Sequence, residues 1–142
     1  MIAIGCDHAA FEMKEALIEH LKTEGYTVQD FGTFSTESCD YPDFAKKVAE
    51  SVAEGKAEYG VLVCGTGIGM SICANKTKGI RAAVVNEEFS AQATREHNDA
   101  NILCMGARVI DNEKAIKLLD IFLNTPFSNG ENHIRRISKL EA

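Results

Sequence analysis

The sequence predicts an α/β domain in which helices cover both faces of a five-stranded parallel sheet. Three observations carry that prediction. Strand-length runs recur five times, and between them the apolar period lengthens to helical spacing. Most of the runs are apolar without alternation, as strands buried on both faces must be. The chain has 142 residues, 45% of them hydrophobic and 25% charged, enough to bury the core of one domain.

Met1–Cys6 reads as the first buried strand, and Met13, Ala16, Leu17, His20 and Leu21 mark a helical face that Gly25 closes. Tyr26–Phe31 is the second strand, followed by a polar loop through Asp40-Tyr41-Pro42. Phe44, Val48 and Val52 repeat every four residues, and Gly55 ends that helix. Tyr59–Cys64 is the third strand and runs into Gly65-Thr66-Gly67-Ile68-Gly69, a turn that opens a short helix stopping before Gly79. Ile80–Val85, a helix over Glu87–Asn98, Ala100–Met105 and a helix over Glu113–Leu123 complete the alternation. Beyond Pro126, residues 127–142 hold Ile134, Ile137 and Leu140 in a stretch too short for a core of its own. Such an arm needs another surface to cover it.

Composition narrows the chemistry. A net charge of −6 without a basic run argues against nucleic acid as a partner. No apolar run approaches membrane-spanning length, and no signal-peptide core precedes Asp7 and His8. Cys6, Cys39, Cys64, Cys73 and Cys104 are odd in number and lack CxxC or zinc spacing, which predicts reduced thiols in a cytoplasmic protein and no metal centre.

The glycine turn is the strongest functional signal. Its glycines let bare N–H groups approach a ligand, and a helix start adds partial positive charge, so the place suits an anion or a developing oxyanion. Cys64 at its lip is either a small core residue or a thiol tuned for chemistry. Asp7 and His8 follow the first strand and Arg108 follows the fifth, where open α/β sheets bind ligands, although Asp7 equally suits a helix cap. His97 ends a helix, where it either answers the dipole or acts on a substrate. Arg135 and Arg136 fit either a solvated face or a phosphate clamp.

Named motifs fail one by one. A Walker A loop needs Gly-Lys-Ser/Thr, and a dinucleotide fingerprint needs glycine where Met70 stands, although Glu87 keeps a distance suited to a ribose contact. A Cys-x5-Arg phosphatase would need arginine at that same position, and a receiver domain needs an acidic residue where Cys64 stands. A non-catalytic nucleotide-binding sensor module survives as a competing reading of the turn.

Taken in order, Gly5-Cys6-Asp7-His8, Asp40-Tyr41-Pro42, the Cys64–Gly69 turn, Ala74-Asn75-Lys76, Gly79-Ile80-Arg81-Ala82 and Arg95-Glu96-His97-Asn98-Asp99-Ala100-Asn101 resemble the ribose-5-phosphate isomerase B family. The resemblance implies a Rossmann-like three-layer sandwich that interconverts ribose 5-phosphate and ribulose 5-phosphate without metal or cofactor. It also implies a homodimer or a dimer of dimers, with active sites between subunits. By resemblance, Cys64 is the base, Gly65, Gly67, Ile68 and Gly69 line the anion hole, and Thr66 bonds the reacting end of the sugar. His97 and Asp7 open the ring, Asn98 and Tyr41 meet hydroxyls, and His8, Arg108 and Arg136 meet the phosphate. Some relatives carry a glutamate base at the position of Met70, which takes no proton. Asn132 departs from the family's usual arginine, so the phosphate grip is shared with His133 or Arg135, or the substrate is a hexose 6-phosphate such as allose or galactose 6-phosphate. The His97-Asn98 pair favours the pentose.

Overall fold

The strands β1 (Ile2–Cys6), β2 (Val28–Asp30), β3 (Tyr59–Cys64), β4 (Ala82–Val84) and β5 (Ile102–Gly106) form one parallel sheet in the order β2-β1-β3-β5-β4. The computed structural model describes all residues, Met1–Ala142. Six helices accompany the strands: α1 (Phe11–Thr23), α2 (Tyr41–Ala53), α3 (Ile68–Ala74), α4 (Glu88–Asn98), α5 (Asn112–Asn124) and α6 (Glu131–Glu141). No helix is long and apolar enough to cross a membrane.

Alternate residues of each strand feed opposite layers. Ile2, Ile4, Cys6, Val61, Val63, Leu103 and Met105 pack against Met13, Leu17 and Leu21 of α1 and Leu118, Leu119 and Phe122 of α5. Ala3, Leu62, Cys64, Ile102 and Cys104 face α2 and α3, where Val48, Ala49, Met70 and Ala74 complete a second core. Three layers result, as the buried apolar runs require.

The differences from the sequence reading lie at element ends. β2 and β4 are edge strands three residues long, because each has a single neighbour to pair with. Tyr41 and Pro42 are not loop but open α2, with Asp40 at the cap position; proline is at home in a first helical turn because its missing N–H is unneeded there. The arm is helix α6, none of whose residues is buried.

Candidate active site

The order in which strands are added reverses between β1 and β3: from β1 the chain builds outward to β2, then returns to the far side of β1 through β3. Ligands in open parallel sheets bind outside the strand carboxyl ends at such a point. Asp7 leaves β1 there, its N–H donating to the Val63 carbonyl at 3.2 Å. Oδ1 of Asp7 accepts the Ala9 N–H at 3.0 Å and caps the 3-10 turn His8–Ala10, so the capping reading is correct for one oxygen while Oδ2 stays available. His8 is half-buried, with Nδ1 accepting the Cys39 N–H at 3.2 Å.

Cys64 ends β3 beside it. The residue is only 5% exposed and belongs to the layer under α2 and α3, but its Sγ accepts the Gly67 N–H at 3.0 Å, which ties the sulfur to the underside of the turn. Gly67 has φ +80°, and a Cβ there would lie 2.9 Å from the Met105 carbonyl carbon, so the turn needs glycine twice over. Gly69 is needed for another reason: a Cβ would lie 2.6 Å from Cζ of Tyr41, whose ring rests on it. The Thr66 hydroxyl oxygen accepts the Ile68 N–H at 3.2 Å, leaving its own proton free to donate. The N–H groups of Gly65, Thr66 and Gly69 form no hydrogen bond within the chain. From β5, Arg108 donates its N–H to the Gly65 carbonyl at 3.0 Å and lays its side chain over that glycine. One rim thus gathers Asp7, His8, Tyr41, Cys64, Gly65, Thr66, Gly67, Ile68, Gly69 and Arg108.

The remaining candidates are elsewhere. His97 and Asn98 close α4, which precedes the start of β5, whereas Cys64 pairs in register with Gly106 at the end of β5. From Ile102 to Gly106 the strand advances about 13 Å at roughly 3.3 Å per residue. His97 therefore stands at the opposite end of the sheet from Cys64. There the His97 ring stacks on His133 of α6 (centroids 4.5 Å apart, planes 16° apart). Partial burial, His97 and the Arg136 guanidinium together hold the His133 imidazole below its ordinary pKa. Asn132 and Arg136 are exposed and one helical turn apart on α6, on a common face.

A residue to which the sequence assigns no role of its own builds this second cluster. Arg95, 4% exposed, donates to the carbonyls of Thr125 (3.1 Å) and Ala100 (2.7 Å), the Asp99 carboxylate (2.7 Å) and the Tyr59 hydroxyl (3.0 Å). Ser128 adds a bond from its hydroxyl to the Glu96 carbonyl at 2.7 Å. Together they pin the root of the arm to the last turn of α4. The only advance signal was a charged residue one helical turn beyond Ala91 on the apolar face of α4.

Burial pushes the Cys6 thiol up to about 12 and the Cys104 thiol upward as well, so both stay protonated near neutral pH. No group of three His, Cys, Asp or Glu side chains is arranged to hold a metal ion. A cavity of about 530 Å³, lined in part by Lys76, Lys78, Arg81, Asn98 and Leu140, opens beside the His97 cluster rather than beside Cys64.

Comparison with known proteins agrees with this geometry. The family model described as Ribose/Galactose Isomerase matches residues 2–140. Ribose-5-phosphate isomerase B of Escherichia coli is 45% identical over 141 residues, covering 99% of this chain and 94% of the relative. The structure of Clostridium thermocellum ribose-5-phosphate isomerase B superposes with a TM-score of 0.97 at 47% identity, covering 99% of this chain and 94% of that one. Ribose-5-phosphate isomerase B of Mycoplasma genitalium, solved with bound ribulose 5-phosphate, gives 0.95 at 41% identity and covers 99% and 93%. With a matching three-layer fold, nearly full-length identity and a glycine rim at the switch point, the chain belongs to the ribose/galactose isomerase family.

Proposed function

We propose that this chain interconverts D-ribose 5-phosphate and D-ribulose 5-phosphate through an enediolate, as a cytoplasmic homodimer serving the pentose phosphate pathway. The observation that carries the reading is the set of unpaired Gly65, Thr66 and Gly69 amides beside a cysteine sulfur at the switch point. Removing the proton next to a carbonyl puts negative charge on oxygen, and preorganised N–H donors stabilise that charge by several kcal/mol. Relatives 41% and 45% identical over nearly the whole chain carry this activity in their names, and one of them holds ribulose 5-phosphate.

The sugar enters as a ring. His97 gives a proton to the ring oxygen while Asp7, through its available Oδ2, takes one from the anomeric hydroxyl. Cys64 then removes the proton at C2, Thr66 and the turn amides hold the enediolate while the hydroxyl proton passes from O2 to O1, and Cys64 returns its proton to C1 to complete the ketose. Asn98 and Tyr41 hold hydroxyls, and His8, Arg108 and Arg136 hold the phosphate, with Asn132 at the position where relatives use arginine. Because His97 and Cys64 stand at opposite ends of one sheet, this chemistry requires two chains, each lending its His97 cluster to the other's Cys64. The exposed apolar residues Ile134 and Leu140 of the arm, and Ile68 and Ile72 at the rim, support an interface there.

A coupled assay over ribose, allose and galactose phosphates tests the substrate, with ribose 5-phosphate expected to be preferred; preference for a hexose overturns the choice. Cys64→Ala is expected to lower turnover by orders of magnitude with an unchanged circular dichroism spectrum. Unaltered turnover in that variant removes Cys64 as the base.

A further inference from the structure

Lys14 is the one charged side chain in the protein with no exposed surface, and the chemistry above gives it no task. Its Nζ lies 2.7 Å from both carboxylate oxygens of Asp30 and over the rings of Phe34 (5.0 Å) and Phe11 (5.4 Å). Stripping an ammonium of water is costly, and a buried ion pair is a poor source of stability compared with apolar residues of the same volume. Its value must therefore be sought in what it fixes.

The bonds lead from it to the site. Asp30 ends β2, and its Oδ1 also accepts the Gly32 N–H at 2.9 Å. The Gly32 carbonyl accepts the Cys6 N–H at 2.7 Å, and the Thr33 N–H donates to the Cys6 carbonyl at 2.8 Å, one residue before Asp7. The loop that starts at this clamp passes Phe34, which is 69% exposed yet keeps its ring on the Lys14 ammonium. It ends at Cys39, whose N–H meets Nδ1 of His8, and delivers Tyr41 onto Gly69. A ring nitrogen that accepts a peptide N–H carries no proton of its own, so the proton of the neutral ring sits on Nε2, the form that donates to a phosphate oxygen.

We propose that Lys14 and Asp30 are positioning residues: the bond from the buried ammonium to the half-buried carboxylate anchors loop 31–40 so that the Cys39 peptide holds the His8 ring with its proton on Nε2. This rests on the reading of His8 as a phosphate-binding group, but the ring state is measured independently of turnover.

The experiment compares the wild type, Lys14→Met/Asp30→Leu and Cys39→Pro. The double variant removes both charges and also the acceptor of the Gly32 N–H, so its melting temperature is expected to fall by a few degrees with the fold intact. Cys39→Pro deletes the donated N–H while leaving the ion pair intact, and serves if the double variant does not fold. The readouts are the His8 ring nitrogen shifts in 15N-histidine-labelled full-length protein, assigned with His8→Asn, and the steady-state constants on ribose 5-phosphate. In both variants the His8 shifts are expected to move from the single Nε2–H pattern to an average of tautomers. KM is expected to rise about tenfold, as for one weakened hydrogen bond to a charged group, with kcat changing far less. A folded variant of either kind that keeps the wild-type His8 shifts and KM overturns the proposal. A wild type without activity on ribose 5-phosphate would sink the isomerase reading instead, and the nitrogen shifts would still decide the role of the pair.

Discussion

Mixing two dead variants is the sharpest test of how the site is assembled. On the proposed mechanism Cys64→Ala removes the base and His97→Ala the ring-opening acid, so each protein alone is expected to be nearly inactive on the cyclic sugar. The strand between the two ends of the sheet spans about 13 Å, while proton transfer needs donor and acceptor within about 3 Å, so one chain cannot serve both steps on one sugar. In a mixed dimer, the chain with intact Cys64 receives His97 from the Cys64→Ala chain, and that one site is whole; the other carries both lesions. Random reassociation gives half mixed dimers with one good site of two, so activity is expected to return to about one quarter of wild type per chain. The assay is unfolding and refolding of an equimolar mixture, followed by turnover on ribose 5-phosphate, with each variant refolded alone as control. Activity no greater than the mean of the two controls, in a sample shown to contain mixed dimers, would refute the shared site.

Other outcomes follow from single contacts. Gly69→Ala is expected to cost little stability, about 1 kcal/mol or less, because the exposed Tyr41 ring can move, yet to raise KM as that ring leaves the rim; a thermal melt and steady-state kinetics check both. Gly67→Ala combines positive φ with backbone contacts under 3.1 Å, and about 2–4 kcal/mol of destabilisation is expected by denaturant titration. Arg95→Met strands two carbonyls and a carboxylate, and about 3–5 kcal/mol should be lost on the same measurement. The Cys6 thiol is raised from 9.0 to about 12 in the fold, so between those values the unfolded chain holds fewer protons and stability falls as pH rises. Cys6→Val should flatten that fall by at most about 1.4 kcal/mol per pH unit, read from denaturant midpoints at several alkaline pH values.

The sheet and its helices were legible because burial on both faces writes apolar runs, and Met13, Leu17, Val48 and Leu119 keep helical spacing. The rim was legible because a turn with φ +80° at Gly67 and a ring on Gly69 tolerates no side chain, so the glycines show in the sequence. Lys14 and Arg95 were not. Each is a charge inside an apolar stripe, and its meaning depends on partners at Asp30, Thr125 and Ala100 that only the folded chain brings near. The separation of His97 from Cys64 was legible in outline, since a helix that precedes a strand of a parallel sheet ends at that strand's amino end, opposite the carboxyl ends where Asp7 and Cys64 stand. The cap at Tyr41-Pro42 was misread because proline ends helices more often than a sequence pattern shows it starting one.

Arg95 and Ser128 fasten the arm to the last turn of α4, so His97, His133 and Arg136 travel as one block. On the proposed shared site, a newly made chain emerges with both halves of its machinery folded and neither in use, and turnover per chain should decline on dilution as the twins come apart.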